Sequence, residues 1–168
     1  NLNGQLALLD GFKKQVFNHE DTEHTLYHRG DGPPVVIVHE SPNLHPMVLR
    51  FAERTAEAGF SVWCPSLFGQ PGAEYSKTNA AAFAVKACLH REFSVFASHQ
   101  SSPICSWLRA LCAWLHEEMG GRGVGMVGMC LTGNFALSLI AEPWMMAPVL
   151  SQPSLPYPLG SWKSKDLH

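Results

Sequence analysis

The sequence is short of charge. Asp, Glu, Lys and Arg make up 15% of its 168 residues, and the formal net charge is −2. A chain with so little excess of either sign has no electrostatic footprint for nucleic acid or an anionic membrane surface. No apolar run approaches the roughly 20 residues that span a bilayer, so no membrane segment is expected. No basic segment followed by an apolar one stands near the start, so no secretory leader is expected either. The chain opens on Asn1 and not on Met, which points to a processed or partial start. Cys-x-x-Cys pairs are absent, which argues against a zinc ribbon or a dithiol redox pair. No metal and no other cofactor is expected. Five cysteines (Cys64, Cys88, Cys105, Cys112 and Cys130) form an odd set at irregular spacing. All but Cys130 sit in apolar surroundings and read as small buried hydrophobes. That usage fits a reducing, cytoplasmic setting. Internal repeats and low-complexity tracts are also missing.

What is present is apolar material, 46% of the residues, enough for the core of one globular domain. Its arrangement alternates strand and helix patterns, which predicts a mostly parallel sheet with helices on both faces. Glu23–Arg29 reads as an early strand. The β-branched run Val35–Val38 reads as a strand buried on both faces. Pro46–Ala58 is a predicted helix, with Pro46 suited to its first turn and Gly59 to its stop. Phe60–Cys64 is a second buried strand, ended by Pro65. Helical character resumes over Asn79–Leu89 and again over Ile104–Met119, where Trp107, Leu108, Leu111, Leu115 and Met119 fall at core-facing spacing. Val124–Met129 reads as a central strand, Leu131–Ile140 as the helix after it, and Met146–Leu150 as a further short strand.

The chemistry concentrates at Gly128-Met129-Cys130-Leu131-Thr132-Gly133, between that central strand and its helix. A nucleophile on a tight strand-to-helix turn is lifted clear of the sheet, and small flanking residues let strand and helix approach. Cys130 at the apex would face the free amides of the helix start, which favour thiolate over thiol. The Leu131 backbone N–H would meet a developing oxyanion. Thr132 departs from the pattern, standing where Gly-x-Cys-x-Gly asks for its second glycine; Gly133 partly restores the small residue. A buried structural cysteine in an ordinary turn remains the alternative. Val38-His39-Glu40-Ser41-Pro42 follows the first buried strand, and ligand sites in open α/β sheets gather at such strand ends. The Ser41 backbone N–H is a second candidate oxyanion donor, Glu40 a carboxylate for the thiol or its proton, and His39 a residue that orients the loop beside the substrate. Taken singly, a glutamate such as Glu40 is more often a solvated loop carboxylate, and a histidine such as His39 a satisfied strand-end residue; their pairing with the cysteine turn is what singles them out. His24 and His28, four apart on a strand and so on one face of it, lack a third metal ligand. Gly121-Arg122-Gly123-Val124-Gly125 precedes a strand, the reverse of a nucleotide-binding glycine loop.

These residues carry a resemblance. The segment 124–133 resembles the nucleophile segment of dienelactone hydrolases, in which cysteine replaces the serine of other α/β-hydrolases. Val36-Ile37-Val38-His39-Glu40 is similar to the family's oxyanion strand and loop with its glutamate. Weaker likenesses lie in 57–62, 65–69, 91–93 and 150–154. The resemblance implies hydrolysis of a small-molecule ester or lactone through a thioester on Cys130, with Glu40 beside the resting thiol. It further implies oxyanion amides from Leu131 and Ser41, and Arg91 as a binder of a substrate carboxylate. The family's aspartate and histidine follow the nucleophile. After Cys130 this chain offers only Glu142, Asp166 and His168, so residues 1–168 are expected to be one partial α/β-hydrolase domain without its last strands. An exposed sheet edge is then expected, open to self-association. The competing expectation is a catalytically silent module that binds a small carboxylate or a partner.

Overall fold

The computed structural model describes residues 8–74 and 102–153. In chain order these hold β1 (Lys13–His19), β2 (Thr22–Arg29), β3 (Pro34–Val38), α1 (Pro46–Glu57), β4 (Ser61–Ser66), α2 (Pro103–Met119), β5 (Val124–Met129), a 3₁₀ turn (Cys130–Thr132), α3 (Gly133–Ser138) and β6 (Met145–Ser151). The strands form one sheet in the order β1-β2-β4-β3-β5-β6. β4, β3, β5 and β6 run parallel, while β1 and β2 enter antiparallel. The predicted α/β architecture is therefore present, with helices on both faces. The predicted helix over 79–89 lies outside the described residues.

The β-branched run behaves as a doubly covered strand: Val36, Ile37 and Val38 have no solvent exposure. On one face α1 sets Val48, Leu49 and Ala52 against Ile37, Val62 and Cys64. Across the sheet α2 buries Trp107, Leu108, Leu111, Cys112 and Leu115 against Val36, Val38 and Met126. Each such large side chain contributes roughly 1.5–3 kcal/mol by leaving water. Met119 does not join them. It sits in the last turn of α2 and is 37% exposed.

Three elements depart from the expectations by more than one residue, each for a local reason. β4 continues through Pro65 to Ser66. Its pairing with β3 ends at Trp63, while Pro65 still lies opposite Leu26 of β2. A residue without an N–H is tolerated where one neighbour has stopped. The helix expected over 131–140 begins two residues later, after the 3₁₀ turn, and closes through three-residue bonds from Leu139 N–H to Ala136 O and Ile140 N–H to Leu137 O. β1 went unread because it is polar and lies at the edge. Its inward Phe17 packs 5.5 Å from the Trp107 ring, and the Trp107 indole N–H donates to Phe17 O at 3.1 Å. A two-residue turn at Glu20-Asp21 joins it to β2, with Glu20 in the left-handed region. Among the described residues β6 has a partner only on its β5 side, and Met146 and Val149 on it are exposed.

Candidate active site

The turn after β5 has the geometry of a nucleophile elbow. Cys130 has φ +55°, a left-handed conformation that strains a side chain-bearing residue by about 1–2 kcal/mol. The strand-to-helix reversal brings the chain back on itself closely enough that a methyl group on Gly128 would lie 2.7 Å from Thr132 O and 2.8 Å from the Gly133 Cα. Glycine is the residue that fits there. Gly133 is crowded too, its absent Cβ facing Pro153 at 3.1 Å. Cys130 itself is half-buried. α3 has six residues, so the amides of the turn, more than a helix dipole, are the local source of positive potential.

Thr132, the departure from the glycine pattern, has a structural task. It is fully buried. Its Oγ1 hydrogen is shared between Met129 O at 2.8 Å and Val38 O at 3.1 Å, and the oxygen accepts the Met129 N–H at 3.1 Å. The hydroxyl therefore closes the elbow and ties it to the end of β3. The glycine requirement has moved one residue on, to Gly133.

β3 and β5 pair in parallel register through Val38 and Gly128. Two residues beyond each stand Glu40 and Cys130, so the register delivers the carboxylate loop beside the elbow. His39 is buried completely, with Nδ1–H donating to Glu40 O at 2.8 Å and Nε2 accepting the Leu67 N–H at 3.1 Å. Burial lowers its pKa to about 4, against a smaller raising effect of the Glu40 bond, so the ring is neutral. Both nitrogens are taken by main chain, which corrects the expectation that His39 stands beside a substrate. It orients the loop instead. Asn43, also buried, donates to Gln70 O at 2.6 Å and Ala73 O at 3.1 Å. Gly69, at φ +71°, lies so close that an added Cβ would fall 2.3 Å from Pro42 O. The loop after β4 thus buttresses the loop after β3. Ser41 is half-buried and joined to Pro42 by a cis peptide.

Glu40 is engaged by a residue that pattern reading passed over: His45 Nε2 lies 3.1 Å from Glu40 Oε1. His45 also caps α1, its Nδ1 accepting the Met47 N–H at 3.2 Å. Pro46 at the first helical position is the sequence signal for a cap at residue 45. That the cap also holds a carboxylate five residues earlier has no sequence pattern of its own.

Among the described residues, the other candidates are engaged elsewhere. Glu142 is held by Arg109, Oε1 to Nε at 2.6 Å. Arg91, Cys88, Asp166 and His168 lie outside the described residues. His24 stands edge-on to Trp107 and His28 stacks on Trp63, and burial lowers both pKa values. Among the described residues no three His, Cys, Asp or Glu side chains come together as a metal site. Cys64, Cys105 and Cys112 are buried thiols. Desolvation pushes Cys112 up to about 12 and Cys64 higher still. A cleft of about 540 Å³ lined by Pro34, Phe60, Met119 and Met146 opens at the starts of the parallel strands, the end opposite Cys130. No helix among the described residues is long and apolar enough to cross a membrane.

A family model described as the dienelactone hydrolase family matches residues 24–154. No curated protein matches the chain. Among solved structures, a Klebsiella pneumoniae protein described as a dienelactone hydrolase superposes with TM-score 0.61 at 17% identity, over 89% of this chain and 62% of that one. The thioesterase domain from the curacin biosynthetic pathway gives 0.57 at 15% identity, over 91% and 48%. A haloalkane dehalogenase from Agrobacterium tumefaciens gives 0.52 at 17% identity, over 88% and 43%. At these identities the likeness carries the fold alone, and the chain spans under two thirds of each relative's length.

Proposed function

The chain belongs to the dienelactone hydrolase family, and on that footing we propose that it hydrolyses a small-molecule ester or lactone with Cys130 as nucleophile. The observation that carries this reading is the left-handed Cys130 on a turn whose Gly128 has no room for a Cβ. Strain of that kind persists where the surrounding structure over-determines it, and it places a side chain at the reacting end of the sheet. In this reading 1–168 is one partial α/β-hydrolase domain, in which Glu40 takes the thiol proton and Sγ adds to the carbonyl carbon. The carbonyl electron pair moves to oxygen, facing the backbone N–H groups of Leu131 and Ser41. Collapse expels the alcohol oxygen, which takes the proton back from Glu40, and leaves a thioester. Water then adds, the C–S bond breaks, and the acid and free thiol are released.

The test is hydrolysis of p-nitrophenyl acetate by wild type and by Cys130→Ala. Loss of at least 100-fold in kcat/KM is expected, on the order of what nucleophile removal costs. Equal rates in the two would end the assignment. A second reading, a silent module that binds small carboxylates, draws on Glu142 being occupied by Arg109. A Cys130 that alkylates no faster than a free thiol, together with no turnover, would favour it.

A further inference from the structure

We propose that His45 is a positioning residue for Glu40, fixing that carboxylate beside the elbow from the start of α1. The inference rests on the reading of Cys130 and Glu40 given above and adds a residue to it. The chain of causes begins in the sequence. Pro46 follows His45, and the residue before a proline is driven out of the helical region. His45 accordingly has φ −82° and ψ 168°. That extended conformation makes it the cap of α1, where its Nδ1 accepts the Met47 N–H at 3.2 Å. An Nδ1 lone pair used in this way leaves the ring proton on Nε2. Nε2 lies 3.1 Å from Glu40 Oε1, so Nε2–H is a donor aimed at the carboxylate. The ring is thus pinned at one nitrogen by a helix and presents the other to Glu40.

This matters because the other bonds that hold the loop bearing Glu40 do not touch its carboxylate. His39 ties the Glu40 carbonyl oxygen, and Asn43 ties the loop to Gln70 and Ala73. Among the described residues, His45 is the group that bonds the Glu40 side chain. Glu40 and His45 keep 29% and 15% side-chain exposure, so the pair is partly open to solvent. A proton acceptor held in one place through every turnover raises kcat, whereas one that swings loses most of its encounters with the thiol.

The experiment separates this role from helix capping. His45→Asn keeps a strong capping side chain but is too short to reach Glu40. Its melting temperature should stay near wild type while kcat on p-nitrophenyl acetate falls about tenfold, the order of one charge-assisted hydrogen bond, with KM within about twofold. In a Glu40→Gln background the same change should have no further effect. Wild-type kcat in His45→Asn, or an undiminished effect in the Glu40→Gln background, overturns the positioning role and leaves Cys130 as nucleophile. Long-range ¹⁵N–¹H spectra of His45 should show the proton on Nε2; a proton on Nδ1 overturns the proposal alone. A wild type that turns over no ester, or a Cys130→Ala variant as active as wild type, overturns the underlying reading and this role with it.

Discussion

The Thr132 hydroxyl donates to the Val38 carbonyl at 3.1 Å, joining residues 94 apart in the chain at the point where two parallel strands end. Through that bond the turn carrying Cys130 and the loop carrying Glu40 become one unit.

Thr132→Val keeps the shape of the side chain and deletes this clasp. It leaves Val38 O without its side-chain donor and Met129 N–H without its acceptor, in a fully buried position. A loss of roughly 1–3 kcal/mol in unfolding free energy is expected, read as a lower urea midpoint with an unchanged slope. A midpoint equal to wild type would remove the clasp from the account.

Gly128→Ala inserts a methyl group 2.7 Å from Thr132 O and 2.8 Å from Gly133 Cα, both backbone atoms with little freedom to yield. Overpacking of this kind costs roughly 1–3 kcal/mol, and the elbow must open to relieve it. The variant should melt lower and lose ester hydrolysis more steeply than stability. A variant with wild-type kcat would show the turn to be looser than its geometry indicates.

His39 gives a pH dependence whose sign follows from its burial. Its folded pKa is lowered to about 4 from 6.5, so the unfolded chain binds the extra proton between those values. Stability from neutral His39 is full above pH 6.5 and is lost as the pH falls towards 4, by a few kcal/mol in all. Urea titrations at pH 7, 5.5 and 4.5 should show this slope in wild type and a flatter one in His39→Gln. Parallel slopes would assign the acid sensitivity to other groups.

Cysteine alkylation should be selective. In native protein, iodoacetamide should modify half-buried Cys130 before Cys64 or Cys112, which are fully buried and whose pKa values are raised by desolvation. Peptide masses after timed quenching give the order. Cys64 or Cys112 reacting first would contradict the packing on both faces of the sheet.

Much of this was legible in the sequence because it depends on short-range pattern. The run Val35–Val38 could only be a strand covered on both sides, and Pro46 with Gly59 bracketed a helix. Gly128 two residues before Cys130 marked the elbow, since the tightness of a turn is written in its small residues. β1 was not legible: its Lys, Gln, Asn and His residues are indistinguishable from loop until Phe17 is seen against Trp107. The extension of β4 through Pro65 depended on where its neighbour β3 stops.

What only the tertiary structure decided is how the polar groups are shared out. Thr132 read as a fault in a glycine pattern and is a clasp; His39 read as orienting the loop beside a substrate and is consumed by two main-chain bonds; His45 went unread and holds Glu40. Hydrophobic periodicity fixes which side of an element is buried, because burial scales with area and ignores direction. Hydrogen bonds are directional and join residues far apart in sequence, so their partners exist only once strand register brings the loop ends together.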